Sequence, residues 1–255
     1  MNETNETNEN IGSPPEPEHN GNKTVNDRNK DKKDKKDKKD GGSEQMEMEM
    51  EILTYSVGAY TTNCYIVYDG KSGKACLIDA PVYDDEIMSA ISSNGLSLEY
   101  IILTHGHFDH ILGANAFREK TGAKIAVHEL ETEYLADPEK SMTFLENGET
   151  VTADILLKDN DIITFGGVSL RVIHTPGHTK GSSCFISGDG KTMFSGDTLF
   201  KGTIGRYDFY GGDYNILMES LKKLKSMEEN YAIYPGHGDD TALDAEIAGN
   251  PYFKF

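Results

Sequence analysis

Residues 99–110 read EYIILTHGHFDH, an apolar run followed at once by three histidines and an aspartate in a chain that holds only 8 His. The β-branched and aromatic run EYIILT reads as a buried strand ending at Thr104. In layered α/β folds, ligand-binding groups gather at the carboxyl ends of strands, where loops are free to project side chains. His105 and His107, two apart in an extended segment, point the same way, while Asp109 and His110 fall where the next helix begins. The four groups can therefore divide between two neighbouring ions, and the fold has to bring further ligands to the end of this strand. The plain alternative is a surface cluster of histidines with no ion.

The further ligands share one local pattern. VIHTPGHTKGS offers His178, MFSGDTLF offers Asp197 and AIYPGHGD offers His237, each in a Gly-rich turn after a strand. Imidazole and carboxylate suit a borderline metal such as zinc, with iron or manganese also compatible, and the total suits two divalent ions sharing one bridging carboxylate. No thiolate is among them. His174 and His128 end strands and are expected to be a hydrogen-bonded support and an ordinary strand-end residue.

The remaining pattern supplies the frame. ILTYSV, CYIVYD and ACLIDA read as strands, DDEIMSAISSNG as a helix stopped by Asn-Gly, ILGANAFREKTG as a helix ending in Gly, and KIAVH as a strand. VSLRVIH, SCFISG and KTMFSG follow as strands, then the amphipathic helix YNILMESLKKLKSM, the strand YAIYPG and a last short helix. Strand runs opening each half, with helices after them, predict an α/β (α+β) fold of two sheets stacked face to face with helices outside.

Charge and composition narrow the function. With 36% hydrophobic and 27% charged residues in 255, the chain can bury one sizeable core. No apolar run approaches the roughly 18 residues that span a bilayer, and the N-terminus lacks the basic and apolar regions of a secretory signal, so a cytoplasmic location is expected. Cys64, Cys76 and Cys184 sit in strand-like contexts and are expected to be reduced core thiols. A net charge of −18 repels a phosphate backbone, which argues against nucleic acid and against an anionic membrane surface as partners. Residues 1–48, with NETNETNEN and DKKDKKDKKD, hold almost nothing apolar and are expected to be a disordered low-complexity tail, leaving 49–255 as the folded domain.

The order H-x-H-x-D-H, then His, Asp and His, set in HTPGHT and GDTLF, resembles the metallo-β-lactamase superfamily from about residue 51 onward. That resemblance implies a four-layer αββα sandwich. Within the superfamily the chain looks like glyoxalase II and its short relatives, the hydroxyacylglutathione hydrolases of S-acyl glutathione thioesters. The pattern implies that His105, His107 and His178 hold one metal, Asp109, His110 and His237 the second, and that Asp197 bridges them. Asp79 in LIDA matches the aspartate that orients the cluster, although Ala80-Pro81 follows it where the family has Pro-Gly. Two ions ~3.5–4 Å apart hold a bridging water, bring its pKa toward neutrality and present hydroxide to a carbonyl carbon. A thioester fits, because its thiolate leaves without a general acid.

Two other readings stand beside this one. A mononuclear iron persulfide dioxygenase of the same fold has a loop resembling GRYDFYGG and would use His105, His178 and Asp197 alone; a catalytically silent metal-binding scaffold would leave filled ligand positions without a purpose. Class B1 β-lactamases carry a cysteine where Asp197 stands. Glyoxalase II has a C-terminal helical domain that helps grip glutathione, whereas a short segment follows His237 here, so recognition is expected from the sandwich or from a neighbouring subunit, with monomer and homo-oligomer both open. Arg206 stands where the family has a basic substrate-contacting residue, with Tyr207 and Tyr210 close by and Lys201 and Lys180 behind it; an ordinary surface ion pair is the other role for Arg206.

Overall fold

Alternate residues of CYIVY enter two different cores: Cys64 and Ile66 face one, Tyr65 and Val67 the other. That period of two is what a strand buried on both faces requires. The computed structural model describes residues 49–255, so the expected tail lies outside the described residues. In chain order the first sheet and its helices comprise β1 (Met50–Val57), β2 (Thr62–Asp69), β3 (Lys74–Ile78), α1 (Asp85–Ser93), β4 (Ser97–Ile102), α2 (Phe108–Ile111), α3 (Ala114–Thr121), β5 (Lys124–His128), α4 (Thr132–Leu135), α5 (Pro138–Ser141) and β6 (Ile155–Leu157). The second half runs through β7 (Ile162–Phe165), β8 (Val168–His174), β9 (Ser183–Ser187), β10 (Thr192–Gly196), the hairpin β11 (Leu199–Phe200) and β12 (Thr203–Ile204), α6 (Tyr214–Lys225), β13 (Ala232–Pro235), β14 (Thr241–Ala242) and α7 (Leu243–Gly249).

Each half forms a six-stranded sheet, ordered β1-β2-β3-β4-β5-β6 and β14-β13-β10-β9-β8-β7. Three buried clusters separate four layers. Ile87, Ile91 and Phe117 of the helices pack on the outer face of the first sheet; Val67, Ile78 and Ile102 meet Phe165, Val172 and Phe194 between the sheets; Leu217, Leu221 and Leu224 of α6 cover the second sheet. The αββα sandwich expected from the two-half pattern is the fold observed.

Local signals explain the element ends. Asp84 caps α1 by accepting from the amides of Glu86 and Ile87, and Asp213 caps α6 in the same way through Asn215 and Ile216. β4 stops at Ile102 rather than Thr104 because the Thr104 amide donates to the Asp79 carboxylate at 2.8 Å instead of a neighbouring strand. The helix expected over ILGANAFREKTG is two short ones, since the Gly113 amide turns away to the Ala80 carbonyl at 2.8 Å. The pattern did not foresee α4, α5, β6, β7, the β11–β12 hairpin or β14. All three cysteines are free and buried, and no helix among the described residues is long and apolar enough to cross a membrane.

Candidate metal centre

Strand direction places the site. β9 is antiparallel to both β8 and β10, and β13 is parallel to β10, so β8, β10 and β13 all end on the same edge of their sheet. Cross-sheet hydrogen bonds bring the end of β4 and the start of β2 to that edge: the Ser183 amide donates to the Thr104 carbonyl at 3.0 Å, and the Asn63 amide to the Gly236 carbonyl at 2.7 Å. The Asn63 side chain fixes the His237 turn further by donating to the carbonyls of Pro235 and Gly238.

All seven expected side chains converge there. His178 Nε2 lies 3.1 Å from His105 Nε2 and 2.9 Å from His107 Nδ1, making one cluster. His237 Nε2 lies 3.3 Å from both His110 Nε2 and Asp109 Oδ2, making a second. Asp197 stands between them, with Oδ1 3.4 Å from His110 Nε2 and Oδ2 3.6 Å from both His178 Nε2 and His237 Nε2. This closeness needs two glycines. A Cβ at Gly236 would fall 2.1 Å from Asp197 Oδ1, and a Cβ at Gly177, whose φ is +128°, would fall 2.3 Å from the Leu217 amide nitrogen of α6.

The partners on the far side of each ring show which atoms face inward. His178 Nδ1 donates to the Arg206 carbonyl at 2.7 Å, His237 Nδ1 to the Tyr60 carbonyl at 3.2 Å, and His110 Nδ1 to Asp79 Oδ2 at 2.8 Å. The Thr104 hydroxyl donates to Asp79 and accepts from His105 Nδ1. In its neutral form each of these rings carries its proton on Nδ1 and turns an Nε2 lone pair into the cluster. Burial pushes His105 and His107 well below the ordinary imidazole value and lowers His178 as well, so these rings stay neutral.

Neutral lone pairs and carboxylates facing one another at about 3 Å are mutually repulsive without positive charge between them. Burial resists charge on His110, yet Asp197, Asp79 and Asp109 outweigh it and raise its pKa to about 10. Burial also works against ionised Asp109, but His110 and His237 hold it well below the usual carboxylate range. Asp197 Oδ1 and His107 Nε2 are buried without a hydrogen-bond partner among the described residues. Ring nitrogens 2.9–3.3 Å apart match the spacing of roughly 3.3 Å between ligand atoms on a tetrahedral ion with bonds of about 2.0–2.1 Å. The residues present therefore fit divalent metal, in groups His105–His107–His178, His105–His110–Asp197 and Asp109–His110–His237.

Asp79 sits behind the site rather than in the open cleft, with Oδ1 accepting from the Thr104 amide and Oδ2 from the Thr104 hydroxyl and His110. Its φ of +57° is a left-handed conformation, held on its far side by the Ala80 amide bonding to the His110 carbonyl. That bond does not need the Pro-Gly that Ala80-Pro81 replaces.

The expected substrate-binding residues lie at the rim. Arg206 makes the surface ion pair weighed above, a two-point contact with Asp208 at 2.9 and 3.0 Å, and its guanidinium lies 4.0 Å over Phe209. Tyr207 packs on Tyr214 of α6, and Tyr210 on Tyr134, one ring further from His107. Lys180 and Lys140 lie over the Tyr210 ring and bond Glu133, while Lys201 pairs with Asp239. His174 lies outside the clusters: its Nε2 donates to the Lys180 carbonyl at 2.9 Å, and its ring stacks on His128 at 4.1 Å.

Sequence reasoning passed over Phe209, 5.7 Å from the His107 ring, and Glu131. The Glu131 carboxylate, fully buried, accepts from the amides of Gly106 and Gly181 at 2.6 Å each and from the Thr179 hydroxyl at 2.7 Å. Burial raises its pKa to about 7 against the pull of these donors.

The Metallo-beta-lactamase superfamily profile matches residues 57–237. The chain is 32% identical over 212 residues to hydroxyacylglutathione hydrolase GloC of Haemophilus influenzae, covering 81% of this chain and 99% of that protein. Among solved structures it resembles the BLEG-1 B3 metallo-beta-lactamase, with a TM-score of 0.74 and 30% identity across 80% of this chain and 100% of that one. It also resembles ETHE1 from Myxococcus xanthus, with a TM-score of 0.65 and 27% identity across 79% and 83% of the two chains. Sandwich, ligand order and likeness agree: the chain belongs to the metallo-β-lactamase superfamily.

Proposed function

We propose that this protein is a binuclear metallo-hydrolase of small-molecule thioesters of the S-acyl glutathione class. The observation that carries the reading is the second cluster: Asp109, His110 and His237 converge beside the first three histidines with Asp197 between, a full set of donors for a second ion, although the rival dioxygenases also keep a histidine at the position of His237. The 32% identity to GloC across 99% of that protein supports the substrate class. In this reading His105, His107 and His178 hold one ion, Asp109, His110 and His237 the other, and Asp197 bridges; zinc suits the donor set, and iron or manganese is compatible with it.

Bound divalent metal supplies Lewis acidity to a carbonyl and acidity to water. The chain supplies the geometry. Asp79 and Thr104 fix His110 and His105, so the ligand atoms are aimed before substrate arrives. Asp109 stays ionised, so its carboxylate is available as a metal ligand and hydrogen-bond acceptor and not as a proton donor. Tyr134 and Phe209 wall His107 from solvent with ring centroids 6.1 and 5.7 Å away. A thiolate departs as an anion and needs no general acid to leave. Arg206, at the rim, meets the carboxylates of the thiol and offsets the field of a chain with a net charge of −18, which disfavours nucleic acid and anionic membranes as partners. A cytoplasmic location fits a glutathione-linked substrate.

The likeness to ETHE1 supports a second reading, a persulfide dioxygenase with one iron on His105, His178 and Asp197. One experiment separates the two. Given S-D-lactoylglutathione, the metal-loaded protein releases free thiol without oxygen uptake, and elemental analysis gives close to two ions per chain. Oxygen uptake with glutathione persulfide, one iron per chain and no thiol release would establish the dioxygenase; a β-lactam serves as the control for the superfamily's other reaction.

A further inference from the structure

Beside Asp109, on the side of the second cluster, a groove of about 100 Å³, partly open to solvent, lies between the β1–β2 turn and the segment after β3. Its walls are Val57, Ala59, Tyr60, Pro81, Val82 and Leu112. The polar side chains lining it are Thr62, Asp109 and Glu146, and no cationic side chain is among the lining residues. Its inner end is continuous with the metal centre, since Thr62 donates to Asp109 Oδ2 at 3.4 Å and Tyr60 packs edge-on at 4.8 Å against Phe108, the residue between His107 and Asp109. Its outer end is apolar too: Tyr60 and Val82 are exposed at 47% and 37%.

The opposite side of the centre has the reverse character. Arg206, paired with Asp208, lies over Phe209 beside His107, and Lys180 and Lys140, which share the carboxylate of Glu133, flank Tyr210. A substrate spanning the two clusters thus meets cations at one end and an apolar, acid-edged channel at the other. We infer that the groove is the acyl pocket of this site and selects an uncharged, unbranched apolar acyl chain over a short hydroxyacyl or a carboxylate-bearing one. The inference rests on the thioester reading for its substrate, with the anionic thiol directed to Arg206 and the acyl chain running from Asp109 past Val82. Each methylene entering the groove leaves water for apolar walls, whereas a terminal carboxylate would face Asp109 and Glu146 with no counter-charge in the lining.

Alkyl hydroxamates test this without relying on turnover, because the head chelates metal whatever the natural thiol is. Calorimetry on the metal-loaded full chain should show affinity rising about four-fold per added methylene from acetohydroxamate to hexanohydroxamate. Succinic monohydroxamate, equal in length to butyrohydroxamate but charged at its end, should bind at least about ten-fold more weakly than it. Val82→Lys should collapse the hexano-to-aceto ratio to below about three-fold, and Val82→Leu should keep it. Equal affinity for the short and long hydroxamates, or a ratio untouched by Val82→Lys, would overturn the assignment. If no S-acyl glutathione is hydrolysed while the hydroxamate ratios hold, the thioester reading falls and the acyl pocket stands.

Discussion

Glu131 Oε2 accepts the backbone amide of Gly106 at 2.6 Å, and Gly106 is the residue between His105 and His107. The other oxygen of the same carboxylate takes Gly181 and Thr179, next to His178. One buried side chain thus ties together the two loops that carry the first histidine cluster. Glu131→Gln places an amide N–H against one of these donors, and metal affinity should drop by about 10- to 100-fold, as for other groups that orient ligands. Chelator competition on the purified variant checks this, with circular dichroism to confirm that it folds.

Asp79→Asn tests the other support. The His110 ring loses its charged acceptor, and the second cluster should suffer more than the first. Elemental analysis after extensive dialysis should find the ratio falling from about two ions per chain toward one. Retention of both would show that Asp79 serves the strand end alone.

Stability of the metal-stripped protein should fall between pH 7 and pH 5. His105, His107 and His178 have lowered values, and His128 is brought down to about 4 by burial and by His174. Below the ordinary imidazole value of about 6.5 the unfolded chain therefore binds protons that the folded chain refuses, and stability declines as pH falls. Glu131, raised to about 7, acts in the opposite sense, because it binds its proton in the folded state first. His110, raised to about 10, is protonated in both states through most of this window and adds little slope. Burial resists charge on His237, but Asp109 and Asp197 raise its value, so it too opposes the trend. The four lowered imidazoles outweigh these three raised groups, and a melting temperature that rises on acidification would contradict that sign.

Gly177→Ala should destabilise by at least about 2 kcal/mol, since the new Cβ meets the α6 backbone at 2.3 Å and the residue keeps a φ of +128°. A drop in melting temperature of about 4–8 °C is the expected reading for a domain of this size.

Arg206→Ala should raise KM several-fold and leave kcat within about two-fold, because a rim cation binds the distant end of the substrate equally in ground and transition states. Its pair with Asp208 is exposed, so stability should hardly change. A fall in kcat with KM unchanged would place Arg206 at the chemistry instead.

Much of this arrangement is legible in the chain because its cause is local. The unbroken apolar runs CYIVY and ACLI mark strands buried on both faces, Asp84 and Asp213 announce helices, and each inward-facing histidine or aspartate follows a strand end. Glu131 is another matter. In HELETEYL it looks like Glu129 and Glu133, and only the approach of Gly106 and Gly181, 25 and 50 residues away, distinguishes it. The loop 205–212 escaped for a similar reason: nothing in RYDFY says that Phe209 turns toward His107 while Tyr207 turns to α6. The segment from 129 to 157 folds into short turns whose apolar residues are too few to show a period.

The two clusters draw on both sheets, His105 to His110 from the first and His178, Asp197 and His237 from the second. On a ribosome, neither half alone can close the centre, and the first four groups emerge long before the last. Completion of the second cluster is then a late event in the life of the polypeptide, possible only once β13 has docked beside β10 and carried His237 into place. An ion held by these groups would act as a clasp across the seam between the sheets, and withdrawing it should loosen that seam before it loosens either sheet.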